Sequence, residues 1–499
     1  MTLVSDNAEK LVRGLGLLDA TMIVVGSMIG SGIFLTSAAS ARFVGAPGWL
    51  LMAWALAGVL TITGALCCAE LATIWPRAGG QYVFLREAYS PAIGFLFGWS
   101  LFLVIQTGTI AAVAIGFAKF MGVLLPQVSS TNYLIGPIVY GRYALSLSTQ
   151  QLVAVIVILL LTWTNMRGLK TGKLVQNTFT FTKTAALLGL VIIGLTLGWK
   201  VGLRDGGAAF TSSWWNPWAN GWNPARVQPD IGSLSALALM MLLGRAMVGP
   251  MFAQSAWNNV TFTGSEIREP GRNLPRALLI GCGLVVCLYL LANLAYVLTL
   301  PLASIQNAPQ DRVAGATMQA ILGGPGTIIM AVAIMISTFG CNNGLILAGA
   351  RVYYAMARDN LFFRRVGQIN ARHVPSIALL AQGIWASLLT LPRTVKTTPL
   401  KPLEDPFGDV YTQLLDYIVS ADLIFYTLMV AAVIVMRRKA PDLERPYRTY
   451  GYPYVPLVYI LLALLLILDL AYLTFWTAGI GYLIVLTGIP VYLIWRRKS

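Results

Sequence analysis

Residues 25–34 read VGSMIGSGIF. They sit inside a charge-free run from Ala20 to Ala41, bounded by Asp19 and Arg42. A run of this length can cross a bilayer as a helix, since about 20 residues span the hydrocarbon. Yet its middle holds Gly26, Gly30 and Gly32, with Ser27 and Ser31 between them, and glycine is among the poorest helix formers. Two readings compete. In one, Gly26 and Gly30 make a GxxxG face for close helix packing. In the other, the helix is broken at mid-membrane. A break frees backbone N–H and C=O groups and is tolerated only where protein or a watery cavity satisfies them. Freed amides at a half-helix N-terminus suit a carboxylate, and freed carbonyls suit an ammonium. One broken helix thus offers both halves of a zwitterion site. The stretch is not a phosphate loop, because the lysine of GxxxxGK[ST] is missing, and it does not match GxGxxG.

The rest of the chain fits a membrane setting. Of 499 residues, 57% are hydrophobic and 11% charged, against about 25% charged in soluble domains. The net charge of +16 is spread over short loops between apolar runs, which argues against nucleic acid as a partner. Cys67, Cys68, Cys282, Cys287 and Cys341 all fall in apolar runs without zinc-ligand spacing and read as small packing residues. No metal or other cofactor is expected. The N-terminal MTLVSDNAEKLVRG has no apolar core ahead of a cleavage site, so the first span is expected to be retained.

Twelve apolar runs are expected to be spans: 18–45, 49–74, 91–124, 147–167, 174–199, 231–262, 275–300, 324–357, 375–392, 412–436, 454–476 and 478–495. The last two part around Thr477 to Gly481. Of the 35 Lys and Arg residues, 23 fall on the side of the termini and 10 on the opposite side, while Lys183 and Arg245 lie within spans. The positive-inside rule then places both termini in the cytoplasm. The longest outside connection is about 200–230, and residues 75–91 on the inside are expected to form a short interfacial helix.

The sixth run repeats the irregularity of the first. It reads GRAMVGPMFAQSAWNNVTFTGSEIREP from Gly244 to Pro270. Gly249 and Pro250 weaken the helix, and Gln254, Ser255, Trp257, Asn258 and Asn259 place polar groups near its centre. Broken helices at corresponding places in two five-helix halves point to a transporter built from inverted repeats. The repeats are expected at 18–199 and 231–436, with two further helices at 454–495.

VGSMIGSGIF, followed by FAQSAWNNVTFTGSEIREPGRNLPRAL, resembles the amino acid–polyamine–organocation (APC) superfamily, and most closely its L-amino-acid-transporter, light-chain-like family. That family typically carries GxxIGSGIF in span one and FAYGGWN followed by EEI–NP–NLP in span six. The likeness continues through AELATIWPRAGGQYVFLREAYSP (69–91), VQNTFTFTK (175–183), LYLLANLAY (288–296) and NNGLILAGARVYYAMARDNLF (342–362), covering nearly the whole chain in order. It implies an all-α polytopic membrane protein of the leucine-transporter type, with a 5+5 inverted repeat and spans one and six broken. The chain departs from the pattern at Gln254-Ser255-Ala256, where Tyr-Gly-Gly is usual. Animal members carry a cysteine after span three for a heavy-chain disulfide; residues 123–149 contain none, so no disulfide-linked heavy chain is expected and the chain is expected to act as a monomer.

The resemblance implies roles. Amides around Gly30, Ser31 and Gly32 would hold the substrate carboxylate, and carbonyls of Met28, Phe252 and Ser255 would face the α-ammonium. Phe252 resembles an aromatic lid on the outer side; the bland alternative is a packing phenylalanine. Lys183 matches a fifth-span lysine that replaces the cation of sodium-coupled relatives; otherwise it snorkels from a span end. Tyr289 matches a seventh-span tyrosine relaying between substrate and that lysine. Gln254, Asn342 and Asn343 are candidate pocket residues, although helix–helix hydrogen bonding also explains the asparagines. Arg245 is read as structurally paired, with Asp422 and Asp469 as similar cases. Glu70, Glu266 and Arg351 are read as inner-face ion pairs.

The expected activity is sodium-independent amino acid transport by alternating access, by exchange or facilitation, with small to medium neutral L-amino acids as substrates in the plasma membrane. A proton-coupled or polyamine-type permease is the second transporter reading. An enzyme is disfavoured, because the one histidine, His373, falls in a loop and no catalytic cluster shares a common depth.

Overall fold

The computed structural model describes residues 14–167, 172–223, 236–370, 374–396 and 406–496. His373 lies outside the described residues. The protein is an all-α polytopic membrane protein. Among the described residues, ten helices are long and apolar enough to cross a membrane, and the bent pair Leu17–Met28 and Gly32–Val44 makes an eleventh. We number the spans in chain order. Span 1 is that pair, span 2 Pro47–Ile74, span 3 Pro91–Leu124, span 4 Thr149–Met166, span 5 Asn177–Asp205 and span 6 Ala236–Ala253. Span 7 is Pro270–Thr299 and span 8 Val313–Arg358. Span 9 is the 14-residue helix Ser376–Leu389, and spans 10 to 12 are Val410–Lys439, Tyr454–Leu473 and Phe475–Arg496. At 1.5 Å per residue, span 9 falls short of the hydrocarbon thickness by itself.

The packing is paired. Span 1 lies against span 6, span 2 against span 7, span 3 against span 8 and span 4 against span 9. Span 5 packs on span 8 as span 10 packs on span 3. Spans 11 and 12 lean on span 10 from outside, with Leu461, Leu468 and Leu486 turned outward. Outward-facing leucine is stable only against lipid, where the backbone is already satisfied within each helix.

Several details differ from the sequence expectation. Span 6 is not broken at Gly249 and Pro250. Met247 sits at a turn, its N–H shared between the carbonyls of Leu243 and Gly244, and helix resumes over Val248–Ala253. Pro250 therefore falls in a first helical turn, where its missing N–H costs nothing. The break comes later, at 254–258. Span 8 begins at Val313, eleven residues before the expected run, and turns at Gly323 with φ +70°. Spans 11 and 12 part at Thr474, whose hydroxyl folds back on Leu470 O at 2.6 Å. The expected interfacial helix is Gln81–Ala88.

The connection between spans 3 and 4 is not simple loop. It forms a hairpin of β1 (Tyr133–Tyr140) and β2 (Tyr143–Ser148), joined by β3 (Pro392–Thr394). Tyr, Ile and Val flanking Gly141-Arg142, with Gly141 at φ +60°, are the strand and turn signals that a hydropathy scan passes over. We call this the hairpin face, and the opposite one, where Leu15 and Arg496 emerge, the terminal face.

Candidate functional site

The break in span 1 covers Ile29 to Ser31 and bends the helix by 43°. Ile29 is extended (φ −75°, ψ 91°), so helical bonding cannot continue through it. The last carbonyls of Leu17–Met28 lose their intrahelical donors, as at any helix end. Here three neighbouring spans supply replacements. Lys183 Nζ of span 5 donates to Gly26 O. Cys341 Sγ of span 8 donates to Ser27 O at 3.4 Å, and Tyr289 OH of span 7 donates to Met28 O at 3.0 Å. All three donors are buried. Tyr289 is held in place by Trp54, whose ring meets it edge-on at 5.6 Å.

On the other side of the break the second half-helix starts at Gly32, with its first N–H groups free of helical partners. Ser31 is fully buried and its hydroxyl lies 3.0 Å from Tyr411 OH of span 10. Gly32 is glycine for a packing reason. A Cβ there would come within 2.6 Å of Ala253 Cβ and 2.8 Å of Ala253 Cα. That close approach brings the broken part of span 1 onto the broken part of span 6. Gly30 faces Cys341, whose Sγ would lie 3.2 Å from an added Cβ.

In span 6 the Phe252 carbonyl accepts from Ser255 N at 3.1 Å and Ser255 Oγ at 2.7 Å. Ala256 then turns through φ +64°, a left-handed conformation that costs an L-residue about 1–2 kcal/mol. The Phe252 ring stands edge-on to Tyr411 at 6.0 Å and is nearly buried. Gln254 turns away to span 2, its Nε2 donating to Trp54 O at 3.1 Å. Asn343 bonds Asn165 of span 4 at 2.9 Å, which is helix–helix bonding. Asn342 is buried, and neither side-chain polar atom has a partner among the described residues. Gln254, Asn342 and Asn343 line none of the cavities beside the broken segments, so the structure does not gather them with the other candidates.

Ion pairs stand on both faces. On the hairpin face Arg245 grips Asp416 with two bonds, the second at 2.9 Å, and its guanidinium lies 5.1 Å from the Phe43 ring centre. Asp416, which the sequence reading did not name, is the partner that the expected structural pairing of Arg245 finds. Lys119 meets Asp409 at 2.9 Å, and Arg42 meets Asp311 at 2.8 Å. Burial alone pushes the Asp409 carboxyl up, but the Lys119 ammonium and the Thr412 bonds outweigh it and hold its pKa below the ordinary carboxylate value. On the terminal face Arg437 chelates Glu70 at 2.9 and 2.7 Å, Thr449 N adds a bond at 2.7 Å, and Arg351 meets Glu266 at 3.1 Å. The chain before span 1 also bonds the chain after span 6: Leu15 N donates to Glu266 O, and Arg268 N to Leu15 O.

Three small cavities adjoin the broken segments. One of about 30 Å³ lies between Thr36, Phe43, Arg245 and Tyr411 toward the hairpin face, and two of about 10 Å³ flank Asp422 beside Ser255. The two smaller ones have room for about one water and the larger for about two, far less than an amino acid.

The sequence reading named the broken segments and two of the groups that brace them, Lys183 and Tyr289, but not Cys341 or Tyr411 in that role. Tyr411, Cys341 and Asp416 carry no motif. Asp416 was readable as a charge inside an apolar run, but its partner is 171 residues away and only the fold supplies it.

Comparison with known proteins agrees with this architecture. The Amino acid permease family model matches residues 15–493. The chain is similar to the large neutral amino acids transporter small subunit 2 of Mus musculus, 31% identical over 98% of this chain and 82% of that one. It is 26% identical to the Asc-type amino acid transporter 1 of Homo sapiens, over 98% of this chain and 84% of the relative. It is also 27% identical to the b(0,+)-type amino acid transporter 1 of Mus musculus, over 92% and 82%. A family match along nearly the whole chain, on a fold whose first and sixth spans break side by side, places this protein in the amino acid permease family of the APC superfamily.

Proposed function

We propose that this protein is a sodium-independent secondary transporter that exchanges neutral L-amino acids by alternating access; it is a transporter and not an enzyme. The observation that carries the reading is the break at Ile29 to Ser31, which presents helix-start amides beside helix-end carbonyls at the centre of the fold. Relatives named as neutral amino acid and Asc-type transporters support the substrate class.

In this reading the amides around Gly30, Ser31 and Gly32 hold the carboxylate. The α-ammonium faces the carbonyls of Met28, Phe252 and Ser255, and Phe252 closes over the substrate. Met28 O already accepts from Tyr289, and a carbonyl has a second lone pair to share. Lys183 supplies the fixed positive charge that a bound cation supplies in sodium-coupled transporters of this fold, and Tyr289 links it to the substrate through the span 1 carbonyls.

Residues 18–199 and 231–436 form two inverted five-helix repeats, with 454–495 added. The pairing of each of spans 1 to 4 with the span five places later supports this division. Span 9 completes twelve crossings, and the cation bias puts both termini in the cytoplasm of a plasma-membrane protein. The absence of cysteine from residues 123–149 supports a chain without a disulfide-linked heavy chain, acting as a monomer. The test is uptake of labelled neutral amino acids into proteoliposomes that are empty or preloaded. Preloading should stimulate uptake several-fold; no uptake under either condition contradicts transport, and equal uptake contradicts exchange.

A further inference from the structure

Beside the broken part of span 6, two residues keep hydrogen-bonding capacity that their neighbours do not fill. One of the 10 Å³ cavities is lined by Ser255, Gln106, Thr109, Asn258, Asn259, Asp422 and Tyr426. Most of these are committed elsewhere. Gln106 donates to Leu345 O at 2.7 Å and Thr109 to Ile105 O at 2.6 Å. Ser255 Oγ donates to Phe252 O. Asn258 is bonded at both ends, donating to Gln81 and accepting from Tyr426. What remains is the Asn259 Nδ2, a donor without a partner among the described residues, and the lone pairs that the Asp422 carboxyl keeps beyond its hydrogen bond with Tyr426, one turn along span 10. Both residues are more than nine-tenths buried. No cation is paired with the Asp422 carboxyl among the described residues.

The second cavity, on the other side of Asp422, has apolar walls from Met251, Ile418, Val419 and Leu423. Ser255 borders both cavities. A substrate whose α-amino group faces Ser255 can extend its side chain into the cavities beside Asp422. An acceptor and a donor on one cavity fit a group that is itself both, and the smallest is a hydroxyl. It donates to Asp422, which keeps an acceptor oxygen in either protonation state, and accepts from Asn259. The cavity volume is close to that of one water oxygen. A methyl group in the same place would leave a buried donor and a buried acceptor unpaired.

The geometry points to a specificity subsite: Asp422 and Asn259 bind the side-chain hydroxyl of small hydroxy amino acids and select them over their apolar isosteres. The inference rests on the zwitterion site proposed above. Its test compares equilibrium binding of L-threonine and L-valine, which differ by hydroxyl for methyl, to the purified full-length protein. Threonine should bind at least ~10-fold tighter, as expected of a site built to hydrogen-bond a substrate hydroxyl. Asp422→Leu should reduce the threonine-to-valine ratio to about one, while Asp422→Asn, which retains an acceptor, should keep most of it. Asn259→Leu should lower the same ratio and serves if Asp422→Leu does not fold. Equal binding of both amino acids to the wild type, or an unchanged ratio in Asp422→Leu, overturns the subsite and leaves the zwitterion reading standing. Binding of neither overturns both.

Discussion

Lys183 donates a hydrogen bond from its ammonium to the carbonyl of Gly26, three residues before the break of span 1 at Ile29. With Cys341 on Ser27 O and Tyr289 on Met28 O, it closes the open end of a half-helix in the buried interior of the fold. A cation there does what a metal ion could do, yet it is covalently fixed. Transport should therefore proceed unchanged with sodium replaced by choline. Lys183→Ala should lower the initial uptake rate by about 10-fold or more, since an unpaired buried acceptor costs about 1–3 kcal/mol. Expression and monodispersity should fall less. Strict sodium dependence of the wild type, or full activity of the alanine variant, contradicts the fixed-charge role.

The contact between Gly32 and Ala253 predicts a steric effect. Gly32→Val should push spans 1 and 6 apart and abolish binding, and Ser31→Pro should remove one amide donor while sparing most of the packing. Melting temperature and binding of the same purified samples separate the two. Gly32→Val should lower both, whereas Ser31→Pro should lower binding more than stability.

The Arg245–Asp416 pair is buried on both sides. Asp416→Asn or Arg245→Ala should destabilise by about 3–5 kcal/mol, because each leaves an uncompensated charge, while the double change Arg245→Met with Asp416→Leu should recover most of that loss. Denaturant or thermal unfolding in detergent measures the cycle. Additive single effects would show that the two residues do not form one unit.

Much of this was legible in the sequence, for physical reasons that differ by element. Glycine and serine at Gly26 to Gly32 announced the first break, because three glycines and two serines leave a helix weak at mid-membrane. The second break was legible as a region. Of its two signals, Gly249 and Pro250 fall inside a short helix after the turn at Met247, and the polar run from Gln254 to Asn258 carries the break. Glu70, Glu266 and Arg351 were readable as paired charges at span ends. The hairpin at 133–148 escaped because periodicity at the scale of a membrane span averages over six- to eight-residue strands. The orientations of Gln254 and Asn343 depend on which helix lies beside them, and a single chain without its fold does not say.

Ala256 offers a test of the local backbone. Its φ of +64° suits glycine, and the family pattern has glycine there. Ala256→Gly should leave the melting temperature equal or higher, although glycine usually costs about 0.5–1 kcal/mol elsewhere in a fold. Ala256→Val should lower it clearly. A drop with glycine comparable to that with valine would contradict the strained turn.

Asp409 predicts a pH dependence on the hairpin face. Its folded pKa lies below the ordinary value despite burial, through Lys119 and Thr412. The stabilisation is then fully present above the unfolded carboxylate pKa, about 4, and is lost as pH falls through the folded value. Asp409→Asn should be less stable than wild type at pH 7, and the gap should narrow below about pH 4. Melting curves across that range give the sign directly.

The zwitterion site at the breaks of spans 1 and 6 is tested most directly by competition. A neutral amino acid that is a substrate should be compared with its decarboxylated amine and its N-acetyl form for displacing the labelled parent from the purified protein. Each modified form leaves half of the backbone site unpaired at about 1–3 kcal/mol, so each should compete roughly 10- to 100-fold more weakly than the parent. An amine lacking the carboxylate that competes as well as its parent would contradict recognition of the carboxylate by the amides around Gly30, Ser31 and Gly32.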